Sequence, residues 1–202
     1  MDQFIKGTYT VGITGASGAQ YGIKLVNQLL LESYQVHLVI TEAAWQVFDL
    51  ELQLDVGNRE RLIDDLFNKN RHLLCYHSLR DYSAPIASGS YKNDGMVIIP
   101  CSMGTLSSIA HASSNNLLER TADVMLKEKR KLIIVPRETP LNELHLENML
   151  RLAKMGVTIL PAMPGFYQQP KNLEDLINFV VGKVLDNLDV DHSLFTRWGE
   201  QQ

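Results

Sequence analysis

Cysteine is nearly absent. Cys75 and Cys101 are the only two in a chain of 202 residues, and they lack metal-binding spacing. That excludes a disulfide framework and a Cys-rich zinc module. His72 and His77 are not at helical i, i+4 spacing and have no third ligand nearby, so no metal site is expected. No apolar run approaches about 18 residues, so no transmembrane helix is expected. Met1 to Lys6 lack signal-peptide architecture. A cytoplasmic, reducing compartment fits these absences. No basic run stands out, the net charge is −4 and the pI is about 5.8. Nucleic acid and anionic membrane are therefore not expected as partners, and an anionic small molecule would need a local basic pocket. Repeats and low-complexity segments are missing too.

What the chain does have is ordinary globular composition, 45% hydrophobic and 21% charged, at a length suited to one well-packed domain. Its organising stretch is Thr14-Gly15-Ala16-Ser17-Gly18, set between the apolar run Tyr9–Ile13 and the amphipathic run Tyr21–Leu31. That order reads as strand, tight turn, helix. Gly15 and Gly18 permit positive φ and close approach of a ligand. Ser17 is expected to cap the helix. The free N–H groups of a helix start make such a turn a phosphate site. Gly12, Gly15, Gly18 and Gly22 do not make the G-x-G-x-x-G dinucleotide fingerprint.

Downstream, strand-like and helix-like runs alternate. Strands are expected at Tyr9–Thr14, Gln35–Ile40, Met96–Pro100, Leu132–Pro136 and Val157–Pro161. Helices are expected at Glu42–Leu50, Arg59–Phe67, Ser102–His111, Leu117–Lys129, Asn142–Met155 and Asn172–Leu188. Asn68–Asp94 reads as irregular, and it is too long for an idle loop. Continuous apolar strands joined by helices predict an α/β fold: a three-layer, mostly parallel sheet covered by helices on both faces. Ligands in such sheets bind beyond the carboxyl ends of the strands. The residues there are Gly15-Ala16-Ser17, Thr41, Ser102-Met103-Gly104-Thr105, Arg137-Glu138 and Pro164-Gly165-Phe166-Tyr167. Small hydroxyls, backbone donors, a fixed cation, a carboxylate and a phenol suit a phosphorylated, largely planar ligand.

Two other patterns are set aside. Asp64-Asp65 lacks the further acid of D-D-x-x-D, because Asn68 stands there. Tyr167-Gln168-Gln169-Pro170-Lys171 spells Y-x-x-x-K, but Pro170 prevents the helix that motif needs. Among the basic residues Arg120, Lys127, Lys129, Arg130 and Lys131, most read as a solvated helix end.

Seven motifs occur together in order. They are Thr14–Ala19, Ala87-Ser88-Gly89-Ser90, Pro100–Thr105, Pro136-Arg137-Glu138-Thr139-Pro140, His145-Leu146-Glu147-Asn148-Met149, Pro164–Tyr167 and Arg197-Trp198-Gly199-Glu200. With them the chain resembles the UbiX family of flavin prenyltransferases over nearly its whole length. That resemblance implies a Rossmann-like flavoprotein fold, with reduced FMN and dimethylallyl monophosphate as substrates, without metal. It implies prenylated FMN as product, for UbiD-type decarboxylases. It also implies a homo-oligomer, often dodecameric, with sites at subunit contacts, and a C-terminal tail, 189–202, packed at such a contact. Gly15, Ala16, Ser17, Thr41, Ser102, Met103, Gly104, Thr105 and Arg137 would hold FMN. Tyr167 and Lys183 would bind the dimethylallyl phosphate, with Arg120 and Lys127 nearby from another subunit. Glu51 and Glu138 match carboxylates near the reacting centre, and Tyr82 and Trp198 match aromatic positions near the prenyl group. Catalytic roles are expected for Glu138 as proton shuttle, Ser17 as flavin-orienting hydroxyl, Glu51, and Lys127 as a phosphate cation. Lys183 stands where many relatives have Arg, and Tyr82 where some have Trp. The alternatives are a cysteine decarboxylase of the phosphopantothenoylcysteine type, whose P-x-M-N signature is broken here at Pro164, and a non-catalytic FMN carrier.

Overall fold

The structure, a computed structural model, describes residues 5–197 and 199. Six parallel strands form one sheet in the order β3-β2-β1-β4-β5-β6. They are β1 Thr8–Ile13, β2 Gln35–Ile40, β3 Leu74–His77, β4 Gly95–Cys101, β5 Lys131–Pro136 and β6 Thr158–Ile159. The helices are α1 Ala19–Leu31, α2 Glu42–Leu52, α3 Arg59–Leu66, α4 Met103–Ala110, α5 Leu117–Lys127, α6 Glu143–Lys154 and α7 Leu173–Asn187.

Alternation along each strand builds two cores. Val11 and Ile13 of β1, Val97 and Ile99 of β4, and Ile133 and Val135 of β5 face a core shared with α1, α2, α3 and α7. Met96 and Ile98, with Leu132 and Ile134, face the other core, against α4, α5 and α6. A period-two strand that is apolar at every position must be covered on both sides, and this sheet is. The chain steps one way from β1 to β3 and the other way from β4 to β6. The β1/β4 boundary is therefore the switch point, where a crevice opens beyond the carboxyl ends.

Most expected boundaries hold within one or two residues. Asn142 and Asn172 cap α6 and α7 through their side chains, and Gly156 follows α6 at φ 90°. Three expectations are corrected. Ser17 does not cap α1; the cap is Gly18, at φ 98°. The glycine takes that place because the backbone there is left-handed, which serine rarely adopts. The expected strand Val157–Pro161 shortens to Thr158–Ile159. It is an edge strand paired only with β5, and its continuation keeps single bonds from Leu160 N to Ile134 O and Ala162 N to Pro136 O. Asn68–Asp94 contains β3, an edge strand of four half-polar residues whose weak apolar signal hid it.

Candidate functional site at the carboxyl edge of the sheet

Thr14 joins the two turns of the switch point. Its buried hydroxyl donates to Pro100 O at 2.9 Å and accepts from Ser102 N at 2.8 Å. The β1–α1 and β4–α4 turns are thereby fixed to each other. Gly15 packs on the start of α2, where a Cβ would collide with Ala43. Ala16 is buried, and the Ser17 side chain is half-buried at the crevice. Glu51 reaches back from α2, and its Oε2 accepts from Gly18 N at 2.9 Å. A carboxylate thus rests on the positive end of α1, the position a ligand phosphate would compete for.

The hydroxyls around this crevice also cap helices. Thr41 Oγ1 accepts from Ala44 N at 3.2 Å, and Ser102 Oγ accepts from Thr105 N at 3.3 Å and donates to Thr105 Oγ1 at 3.1 Å. Met103 is buried, whereas the Cβ position of Gly104 faces open space. Beside Met103 and Gly104 a groove of about 480 Å³ runs between α4 and α6, lined also by Ser107, His145, Asn148 and Arg151.

Arg137 follows β5, with its N–H bonded to Cys101 O at 3.2 Å. Its side chain lies beside α1: burial raises the Tyr21 phenol pKa, and the Arg137 guanidinium pulls against that rise. Glu138 is exposed, its Oε1 accepting from Thr139 N at 2.9 Å. Gly15, Ala16, Ser17, Thr41, Glu51, Ser102 to Thr105, Arg137 and Glu138 thus share one edge. Backbone donors, small hydroxyls, one cation and an apolar floor fit an anionic, planar, phosphorylated ligand such as FMN. Among the described residues no group of three His, Cys, Asp or Glu could hold a metal ion.

The remaining site candidates lie elsewhere in the chain. Lys127 ends α5, paired with Glu128 above Gly89. Only three residues separate it from the start of β5, so it sits at the amino end of the sheet. The carboxyl-edge crevice is about 17 Å away along the strand. Arg120, on the same helix, donates to Ala87 O at 3.1 Å and pairs with Asp123 at 2.7 Å. Tyr82, half-exposed, donates to Ser114 O at 3.2 Å in the α4–α5 connection. Tyr167 stacks edge-on against Phe179 of α7 at 5.7 Å. Lys183 lies one helical turn further along α7 than Phe179. The C-terminal end of α7 meets the amino ends of the strands, through Leu188 O to Tyr9 and Asn187 O to Lys131, whereas Phe179 lies near the middle of the helix. Trp198 lies outside the described residues. One chain therefore unites the candidate flavin-holding residues but carries Lys127 at the opposite end of the sheet.

Sequence reasoning missed Thr14 and Asp186 as site-supporting residues. Thr14 had a signal: a hydroxyl closing an apolar strand before a small-residue turn. Asp186 offered only an i, i+3 pairing with Lys183, since Arg197 and His192 join it only when the tail folds over α7.

Comparison with known proteins agrees with this geometry. The flavoprotein family model matches residues 5–185. Flavin prenyltransferase UbiX of Halalkalibacterium halodurans is 68% identical, over 98% of this chain and 96% of its own. The crystal structure of AnUbiX (PadA1) in complex with FMN and dimethylallyl pyrophosphate superposes with a TM-score of 0.85 at 39% identity, covering 97% of this chain and 99% of that one. A dodecameric FMN-dependent UbiX-like decarboxylase from Escherichia coli O157:H7 superposes at 0.83 with 40% identity, covering 95% and 98%.

Proposed function

Because this chain belongs to the UbiX family of flavin prenyltransferases, we propose that its carboxyl-edge crevice holds reduced FMN and that it transfers a dimethylallyl group from dimethylallyl monophosphate to that flavin. The observation that carries the reading is the pair of turns at the β1/β4 switch point, locked together by Thr14. Reduced FMN, when bound, supplies the nucleophilic N5 and C6 atoms. The allylic C–O bond would break with its electron pair going to phosphate, the freed carbon would replace the N5 proton, and ring closure would replace the C6 proton, one released proton going to the prenyl C=C and the other to phosphate.

Each residue has a stated task. Gly15, Ala16, Thr41, Ser102 to Thr105 and Arg137 hold the flavin and its phosphate, and Ser17 orients the reacting ring. Tyr167, Lys183, Lys127 and Arg120 stabilise charge growing on the leaving phosphate. Lys183 does so as a point charge, without the bidentate fork of an arginine. Glu138, exposed beside Arg137, carries a proton to or from that phosphate. Glu51 leaves the α1 start when an anion arrives. Tyr82 and Trp198 offer π faces to the allyl carbons.

The site is completed by other copies of the chain. Two features favour this: the separation of Lys127 from the crevice, and the apolar side chains left exposed at Leu144, Leu146, Leu150, Met163 and Phe166. A dodecamer is the proposed state, with the tail beyond Asp189 at a subunit contact. Prenylated FMN then passes to a UbiD-type decarboxylase.

The test is direct. Purified protein is mixed anaerobically, with chelator, with reduced FMN and dimethylallyl monophosphate or diphosphate. A flavin adduct of increased mass is expected with the monophosphate. No adduct with either phosphate ester would overturn the reading.

A further inference from the structure

Asp186 is an acceptor for three side chains at once. Its Oδ2 accepts from Lys183 Nζ at 3.3 Å. Its Oδ1 accepts from Arg197 at 2.8 Å and from His192 Nε2 at 3.2 Å. Leu194 N donates to His192 Nδ1 at 3.2 Å, so the ring proton belongs on Nε2, pointing at Asp186. The Asp186 side chain is 19% exposed and that of His192 only 2%. Burial alone would raise the Asp186 pKa, but hydrogen bonds from Arg197 and Lys183 outweigh it and hold the carboxyl below its ordinary value. An exposed i, i+3 ion pair contributes little by itself. This one differs because the tail shields it and fixes the carboxylate from the other side.

The same tail reaches Tyr167 by a second route. Phe195 lies on the backbone of α7 at Gly182, where a Cβ would collide with its ring. A glycine inside a helix costs about 1 kcal/mol, and here it makes the seat for an aromatic ring. Phe195 packs on Phe179 at 5.5 Å, and Phe179 carries Tyr167. Gln168 Nε2, next to Tyr167, donates to Thr196 O at 2.8 Å. Thus Arg197 and His192 reach Lys183 through Asp186, and Phe195 reaches Tyr167 through Phe179.

We propose that residues 192–197 form a clasp that positions Tyr167 and Lys183 for the phosphate of the prenyl donor, with Asp186 and Phe179 as its two points of attachment. This rests on the phosphate-holding role given to Tyr167 and Lys183 above. Asp186 is a positioning residue: it holds the Lys183 ammonium over one face of α7 and limits the rotamers that a four-carbon stem would otherwise sample. A phosphate arriving there meets an ordered cation, so less side-chain entropy is lost on binding.

The full-length oligomer tests this in steady-state adduct formation at saturating reduced FMN, with dimethylallyl monophosphate varied. Asp186→Asn is expected to raise the donor KM about tenfold, the scale on which misplacing a positioning group acts. FMN affinity, read by flavin fluorescence, stays unchanged. Asp186→Glu recovers most of the loss, and Phe195→Leu raises KM in the same direction. A role in stability alone would lower Tm and leave KM in place. An unchanged or lowered KM in Asp186→Asn overturns the clasp. Should Asp186→Asn fail to fold, Arg197→Gln and Phe195→Leu carry the same test. If the wild type forms no adduct, prenyl transfer is what fails. The clasp is then judged by calorimetry with dimethylallyl monophosphate alone, where equal affinity of wild type and Asp186→Asn overturns it.

Discussion

Glu138 and Thr14 show two ways in which a single side chain serves the crevice. Glu138 is exposed at the end of β5 and bonded only to the neighbouring backbone, so it is free to meet substrate. Glu138→Gln keeps its size and hydrogen bonding but removes the titratable proton. Adduct formation is expected to slow by about 100-fold, within the usual range for general acid–base groups, with FMN still bound. Unchanged single-turnover kinetics would remove Glu138 from the chemistry. Thr14 is buried, and its hydroxyl satisfies Pro100 O and Ser102 N, both inside the protein. Thr14→Val strands both groups and is expected to cost about 2 kcal/mol in denaturant unfolding. It also weakens FMN binding, because the two turns are no longer tied. Thr14→Ser should restore both properties, and loss of stability without loss of FMN affinity would contradict the tie.

The elements differ in how openly they announced themselves. β1, β4 and β5 are apolar at nearly every position, and helices α5, α6 and α7 begin at asparagines whose capping is visible in the chain. Such local signals survive into the fold because tertiary packing agrees with them. β3 was hidden because an edge strand needs only one apolar face. Its His77 is part of a buried polar cluster instead: His37 Nδ1 lies 2.7 Å from His77 Nε2, and His37 Nε2 lies 2.8 Å from the Tyr91 hydroxyl. No periodicity predicts that pairing. It has a pH consequence. Burial, and secondarily the His77 charge, push the His37 pKa down to about 4. Burial likewise lowers His77, with Asp81 acting against it. His37 is therefore neutral in the native state and takes up a proton more readily when unfolded. Its contribution is fully present above the unfolded value of about 6.5 and is lost as pH falls toward about 4. The unfolding midpoint in urea should drop across that window, and less so in His37→Gln. A midpoint that stays level between pH 6.5 and 4 would contradict the buried neutral pair.

At the scale of the whole molecule, the residues assigned to one reaction are divided between the two ends of the sheet. The carboxyl-edge set could be read from the rule that parallel sheets bind ligands beyond their strand ends. Tyr167, which follows β6, belongs to that set, but Lys127 and Arg120 on α5 and Lys183 on α7 could not be placed by that rule, because it speaks only for the turns after strands. Leu144, Leu146 and Leu150 on α6 are exposed, and the proposed oligomer would cover them. Dilution into mild denaturant that splits the oligomer should abolish adduct formation before secondary structure is lost. Mixed oligomers give the most direct measurement. Glu138→Gln and Lys127→Ala chains are each made alone, then co-expressed in equal amounts, and adduct formation is measured for all three preparations. If a reaction centre draws Glu138 from one copy and Lys127 from another, the mixture should recover about one quarter of the wild-type rate, the share of sites assembled from two intact halves. A mixture no more active than the average of the two variants, despite normal assembly, would contradict a centre shared between chains.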